Sequence, residues 1–503
     1  MRYILFAWLL IYLLFPTHNS TLDAWQYAAD IRHGNDLFSP HHLLYNAMGF
    51  VVYQLLQGLG IKCSALAMMK ALNALFSVGI LAIWAEIWKK SGKSTQEIMA
   101  YLFVAGATFG LWRFATENEN YIVPIFFSSL GSFFAFANLQ TNAPFQNKNI
   151  LLSSFWAAVA CLFHQIHFWW WLGLAIGYLY KGISCSFPTK TLVQKAALYL
   201  LPAFLVPITY LLVVYTQTGN YDLSSLMRFV LHDFYTGNVT MTFGFKHLLM
   251  TGINFTRSFI QLHGIMLQQF HSSFLWALPA VVFVGIGLYL FSFLPSISPI
   301  SSLNNYGKTH LLIAILHFLF AIYSVGNAEF MVMLPLLLLF LISLKWQIPL
   351  KPLYLLGISL FVWNFSYGIF PNYYWEFQTD AKWDKQMLEN PQNLYVLCNR
   401  PNVENRLYYH TGQIRVPNLV NSANILHFKG QTDSLLRKKI DSTFSASGKV
   451  FTNALHYQPT WSREKIMMED KEPPFFQAYP QHIKHDSSHS FTATMYLIEV
   501  LRK

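Results

Sequence analysis

The sequence predicts an α-helical polytopic membrane protein of about eleven transmembrane helices, followed by a small mixed α/β domain. Three observations carry this reading. Hydrophobic residues make up 54% of the chain, aromatic ones 17% and charged ones only 11%, with a mean hydropathy of +0.34, which excludes an ordinary soluble protein. Apolar runs long enough to cross a bilayer recur from Ile4 to Phe370, separated by polar connectors. From about Asn372 charges return, and the runs Leu394 to Leu397, Lys449 to Phe451 and Met495 to Val500 read as short strands between helical stretches. Domain boundaries follow at 1–371 and 372–503.

The first run, Tyr3 to Phe15, has one basic residue before it and no small-residue cleavage signal after it, so it reads as an uncleaved span. The others fall near 64–88, 96–113, 121–139, 150–166, 168–180, 196–216, 273–294, 309–325, 330–344 and 352–370. Lys89, Lys90, Lys93, Lys148, Lys181, Lys190, Lys195, Lys308, Lys345 and Lys351 all lie on connectors of one side, which is therefore expected to be cytoplasmic. That choice puts the segment of Asp23, the turns at 117–121 and 164–167, the loop 217–265 and the whole tail outside. Between residues 18 and 62 the chain is expected on the outer surface, with Leu43, Leu44, Met48, Val51, Val52, Leu55 and Leu56 forming the apolar side of an amphipathic helix.

Part of the formal charge of +11 is this inside-loop signal, and no nucleic-acid-binding motif is present. Four cysteines without CxxC spacing do not suggest a zinc site or a disulfide framework. Also absent are a GxxxxGK[ST] loop, a dinucleotide fingerprint and a serine-nucleophile elbow.

The polar residues gather at outer span ends. Behind the first span come Asp23, Tyr27, Asp30, Arg32, His33 and Asp36, then His41-His42-Leu43-Leu44-Tyr45; before the fourth span stands Thr116-Glu117-Asn118-Glu119-Asn120-Tyr121. With the Lys89-Lys90 turn, this order resembles the GT-C superfamily of integral membrane glycosyltransferases, which includes protein O-mannosyltransferases and the aminoarabinose transferase of lipid A. The resemblance covers about the first 370 residues. Two departures are visible: Asp23-Ala24 stands where the family has an acidic pair, and His41-His42-Leu43-Leu44-Tyr45 where it has His-Pro-Pro-Leu-Tyr.

The resemblance implies a GT-C-like fold and a sugar donor on polyprenyl phosphate, presented at the outer leaflet to a lipid, glycan or protein acceptor. Hexosyl or pentosyl transfer of this kind needs a base for the acceptor hydroxyl, while the phosphate leaves without strong protonation. Asp23 matches the family's first-loop Asp and is the candidate base; the alternative is an Asp stabilising a helix N-terminus. Glu117 and Glu119 are expected to orient the acceptor, hold a divalent cation with Asp23 or offset charge at the sugar, unless they are solvated boundary residues. Glu119 with Tyr121 is the better match to the family's second acidic position.

Further substrate contacts are expected from Tyr27, Arg32 and Tyr45. His41, His42, His164 and His167 are phosphate candidates, against interfacial or helix-end histidines. In the outer loop Arg228, Lys246 and Arg257 either hold a donor phosphate or sit among lipid head groups. Glu329 lines the cavity or caps a helix. Two other functions stay open: a transporter or flippase, for which His310 and His317 inside the ninth span are the only pointers, and a polymerase or ligase of lipid-linked glycans.

Overall fold

The computed structural model describes residues 1–235, 243–263, 265–300, 302–377, 381–398, 400–421, 431–455, 458–459, 474–489, 491 and 493–502. It resolves into two compact units. One comprises Met1–Pro16, Asp36–His263 and Ser273–Phe370; the other comprises Thr17–Asn35, Gly264–Ser272 and Pro371–Lys503.

The first unit is helical. Among the described residues seven helices are long and apolar enough to cross a membrane: Ala65–Lys90, Ile122–Gln140, Thr189–Thr218, Phe274–Phe291, Asn305–Tyr323, Ala328–Lys345 and Leu350–Tyr374. An eighth is made by Thr95–Ala107 and Phe109–Ala115, bent by 68°. The remaining three expected spans are also helices, but shorter: Arg2–Leu14, Asn147–Phe163 and Phe168–Ser184. All eleven expected segments are thus helical, and seven or eight of them reach spanning length.

The bend at Thr108 has a local cause. Thr108 adopts extended backbone and its hydroxyl donates to Ala105 O at 2.7 Å, while Asn364 Nδ2 donates to the freed Ala107 O at 2.8 Å. A break inside an apolar bundle is tolerated when a neighbouring helix re-satisfies the backbone in this way. The short first helix is held by aromatic packing: Trp8 and Tyr12 are buried against Phe103, Trp112 and Phe361, and Tyr12 Oη donates to Gly106 O at 3.1 Å.

One end of this unit collects the lysines. Lys181 Nζ donates to Asn138 O and Ala143 O at 2.5 and 2.7 Å, Asn304 bonds Gln140, Lys308 bonds Tyr180 and Lys351 bonds Tyr289. Because successive helices alternate in direction, the turns at 116–121, 164–167 and 324–329 share the other end. The Tyr45–Gly58 helix also forms, with Val51, Leu55 and Leu59 exposed.

The second unit is a mixed sheet in the order 419–421, 394–397, 450–452, 493–500, 458–459, with His482–His489 pairing 493–500 as well. Leu394–Leu397 runs parallel to both of its neighbours, and the helices Pro401–Thr411 and Gln431–Ser445 make the crossovers. Both faces are covered, as a parallel core requires: Tyr395, Leu397 and Leu407 on one side, Val396, Ile440 and Val500 on the other. Residues 17–35 pack in this unit. Thr21 caps the Leu22–His33 helix by accepting from Ala24 N at 3.1 Å, and Gly34, at φ 71°, ends it.

Candidate functional site

The densest polar cluster of the first unit is built on the turn 116–121, whose six residues are all buried, Glu117 completely. Burial of that much backbone demands internal partners. Asn73, on the Ala65–Lys90 helix, supplies them: its Nδ2 lies 2.7 Å from Glu117 O, 2.8 Å from Glu119 O and 3.2 Å from Tyr45 Oη. Tyr45 Oη in turn donates to Asn118 Oδ1 at 2.9 Å.

Two cations hold the Glu117 carboxylate. Lys70 Nζ lies 3.6 Å from Oε1, Arg113 Nη2 lies 3.2 Å from Oε2, and Asn118 N donates to Oε1 at 2.9 Å. Lys70 and Asn73 stand one turn apart on the same helix, so one face delivers both groups. The same turn carries a second buried carboxylate, Glu119. A third cation, Arg257, is destabilised in its charged form first by burial and then by the nearby Arg113 guanidinium. Its Nη1 donates to Asn254 Oδ1 at 3.2 Å, whereas its buried Nε has no acceptor among the described residues.

The histidines join this cluster through backbone pairing. Leu44 N donates to Leu162 O and Gln165 N to His41 O, both at 3.0 Å, which sets residues 41–45 against the 164–167 turn. The His164 ring packs beside Tyr121 and Phe330. His167 Nδ1 pairs with Ser128 Oγ at 2.7 Å, and His41 Nδ1 with Gln165 Oε1 at 3.2 Å. Burial, reinforced by His41, pushes the His42 imidazole down to about 3 and keeps it neutral. Glu329 Oε2 accepts from Tyr121 Oη at 2.7 Å and from Asn327 Nδ2 at 3.0 Å.

The structure therefore brings Tyr45, Glu117, Glu119, Tyr121, His41, His42, His164, His167 and Glu329 to one end of the first unit. The solvated-boundary alternative for Glu117 and Glu119 is wrong, since both are buried. Lys246 is exposed on the first turn of Phe245–Phe259, and Arg228 is exposed as well. Asp23, Tyr27 and Arg32 belong to the second unit. Asp23 is exposed in the first turn of its helix, where the cap itself is Thr21; Arg32 lies over the Tyr409 ring at 4.7 Å.

Sequence reasoning missed Lys70, Asn73 and Arg113. The signal was there: an ionisable residue inside an apolar run needs a partner, and Lys70 and Arg113 both sit in expected spans. As for a divalent cation, no group of three or more His, Cys, Asp or Glu that could hold a metal ion occurs among the described residues. The Glu117 oxygens face Lys70, Arg113 and Asn118 N.

The turn that carries Glu329 is backbone-limited. Val325 and Gly326 both have positive φ, 55° and 67°, and a Cβ on Gly326 would fall on the backbone of Met250 and Thr251. Gly326→Ala is expected to cost about 2 to 3 kcal/mol, from clash and left-handed strain together. Denaturant unfolding of the purified chain checks it; a change below about 0.5 kcal/mol, the range of a neutral surface substitution, would remove this account of the turn.

No family model matches this chain, and no curated protein matches it. Among solved structures, ArnT from Cupriavidus metallidurans bound to undecaprenyl phosphate superposes with a TM-score of 0.53 at 11% identity, covering 99% of this chain and 97% of that one. An oligosaccharyltransferase from Archaeoglobus fulgidus, in complex with Zn and sulfate, gives a TM-score of 0.46 at 12% identity, over 97% of this chain and 73% of that one. The conclusion rests on the first of these, and at such identity it concerns the fold. With its apolar helices and small terminal sheet domain, the chain is an integral membrane protein with a GT-C-like fold.

Proposed function

We propose that this protein is a membrane glycosyltransferase that moves a sugar from a polyprenyl-phosphate donor to a lipid, glycan or protein acceptor on the outer face of the membrane. The observation that carries the proposal is the buried Lys70, Glu117 and Arg113 cluster, with Arg257 near it, at the end of the helical unit opposite the lysine-rich connectors. Cationic donors held away from water suit a phosphate, which takes charge-assisted hydrogen bonds. At the 164–167 turn lies an apolar cavity of about 440 Å³, lined by residues including Ala158, Phe168, Trp171, Val206 and Leu226. Gln165 stands on its wall and bonds His41, so apolar and polar regions adjoin as an isoprenoid chain and its head group would need. The fold match to a structure bound to undecaprenyl phosphate supports the same donor class.

In the proposed reaction Asp23 takes the proton from the acceptor hydroxyl, whose oxygen bonds the anomeric carbon as the bond to phosphate breaks. Lys70, Arg113 and Arg257 stabilise the charge gathering on the departing phosphate. His164, His167, His41 and His42 are assigned to the donor phosphate or the acceptor, and Tyr45 and Asn73 keep the 116–121 turn closed. Tyr27 and Arg32 are proposed as substrate contacts. The positive-inside rule puts the lysine-rich end in the cytoplasm, and the location proposed is the bacterial inner membrane with the reaction outside.

Mass-spectrometric profiling of lipid-linked sugars tests this, in cells with and without the chain. A polyprenyl-monophosphate sugar is expected to accumulate when the chain is missing; identical profiles would sink the reading.

A further inference from the structure

We propose that Tyr408, in the terminal domain, is a positioning residue for Asp23. The proposal rests on the assignment of Asp23 as base. The Leu22–His33 helix buries Ala24, Ala28 and Ala29 fully and meets the Pro401–Thr411 helix through rings: Trp25 stands edge-on to Tyr409, Arg32 lies over the same ring and His33 stacks on Tyr408. These contacts hold the helix against the domain, and directional hydrogen bonds add to its rotational setting. Tyr408 Oη donates to Asp30 Oδ1 at 2.9 Å and accepts from Asn35 Nδ2 at 3.1 Å, and both Tyr408 and Asp30 are buried.

Other bonds fix the helix at its two ends. His33 Nε2 donates to Tyr409 O at 3.0 Å, and Asn405 Nδ2 donates to Leu22 O at 2.9 Å. Asp30 and Asp23 are seven residues apart, so they lie on one stripe of the helix. The bond that fixes the rotation of Asp30 therefore fixes the direction in which the Asp23 carboxylate leaves the helix. One end of that stripe is clamped in the domain core and the other is exposed, which is the arrangement expected of a presented carboxylate. The role is mechanical: Tyr408 needs no contact with substrate.

The test uses the full chain in lipid nanodiscs and three variants, Tyr408→Phe, Asp30→Asn and Asp23→Asn. The donor probe is the polyprenyl-monophosphate sugar pool extracted from cells lacking the chain. Tyr408→Phe keeps the ring packing and loses only the hydroxyl, so hydrogen exchange of amides 22–33 should quicken about tenfold while the strands 394–397 and 450–452 exchange as before. Turnover should fall about tenfold with the donor KM unchanged, because a misdirected base harms only the transition state. Asp30→Asn keeps an oxygen for the Tyr408 hydroxyl and should leave turnover within about twofold of native. Unchanged exchange in Tyr408→Phe, or faster exchange with native turnover, overturns the proposal. If Asp23→Asn itself turns over normally, the base assignment fails and the positioning role falls with it, a result distinct from failure of Tyr408→Phe alone.

Discussion

Replacing Glu117 by glutamine is expected to lower the stability of the helical unit by about 3 to 5 kcal/mol, the range for removing one member of a buried ion pair. Glutamine matches the shape, so the loss comes from charge. Lys70 has a side chain only 10% exposed and Arg113 one only 16% exposed, against 0% for Glu117. Without the carboxylate both cations stay in a poorly solvated place, and the two bonds of Arg113 to Oε2, at 3.2 and 3.3 Å, lose their charge assistance. Adding Lys70→Met to Glu117→Gln should recover part of the loss, since it removes one stranded charge; a cycle of single and double variants by denaturant unfolding in mixed micelles measures the coupling. A loss below about 1 kcal/mol for Glu117→Gln would place it among exposed pairs. That result would contradict the burial on which the site rests.

How much of this was legible in the sequence follows from the range of the forces involved. Apolar run length reports the bilayer directly, so the expected spans were visible as helices, although seven or eight of them reach spanning length; the runs 394–397, 449–451 and 495–500, rich in apolar and β-branched residues, likewise announced strands found at 394–397, 450–452 and 493–500. His482–His489 was not, because an edge strand reading HIKHDSSH takes its structure from pairing with 493–500 and carries no apolar pattern of its own. The break at Thr108 was hidden inside an apolar run; what stabilises it is Asn364, more than 250 residues away. The turn 116–121 was legible as a polar cluster, but its cations were not, because Lys70 and Arg113 lie inside apolar runs and away from the connectors. Nor could sequence join residues 17–35 to the terminal domain: the bond between Asp30 and Tyr408 spans 378 residues.

The burial of the 116–121 turn also bears on which function the fold serves. A transporter would draw on ionisable groups deep in the bundle, and the two deep histidines differ. His310 Nδ1 donates to Tyr306 O at 2.8 Å and its Nε2 pairs with Ser132 Oγ at 2.8 Å, a packed and satisfied core residue. His317 packs against His167 and Trp170. By contrast, six consecutive buried residues, three helices and a carboxylate with two cations converge at one end. Such polar networks cost stability unless fully satisfied, and their concentration at one end fits chemistry performed on a lipid head group.

Asp23→Asn is expected to reduce sugar transfer by about 10²- to 10⁴-fold, the usual weight of a general base, and to leave folding nearly intact. The second half of that expectation separates catalysis from helix stabilisation. Thr21 accepts the Ala24 N–H and is the cap, so what Asp23 lends the helix N-terminus is its charge near the positive helix end. Losing that charge costs about 0.3 to 1 kcal/mol, and asparagine keeps the shape. A helix-stabilising role thus predicts a small stability change and normal transfer, while a base predicts normal stability and almost none. Asp23→Glu is the sharper variant: it keeps a carboxylate one methylene further out, so it should retain more transfer than Asp23→Asn, with the loss falling on kcat more than on KM. In cells, the Asp23→Asn strain should accumulate the same polyprenyl-monophosphate sugar as cells lacking the chain, at comparable membrane levels of protein. Full turnover by Asp23→Asn would move the search for the base to Glu119, the buried carboxylate nearest in sequence to Tyr121.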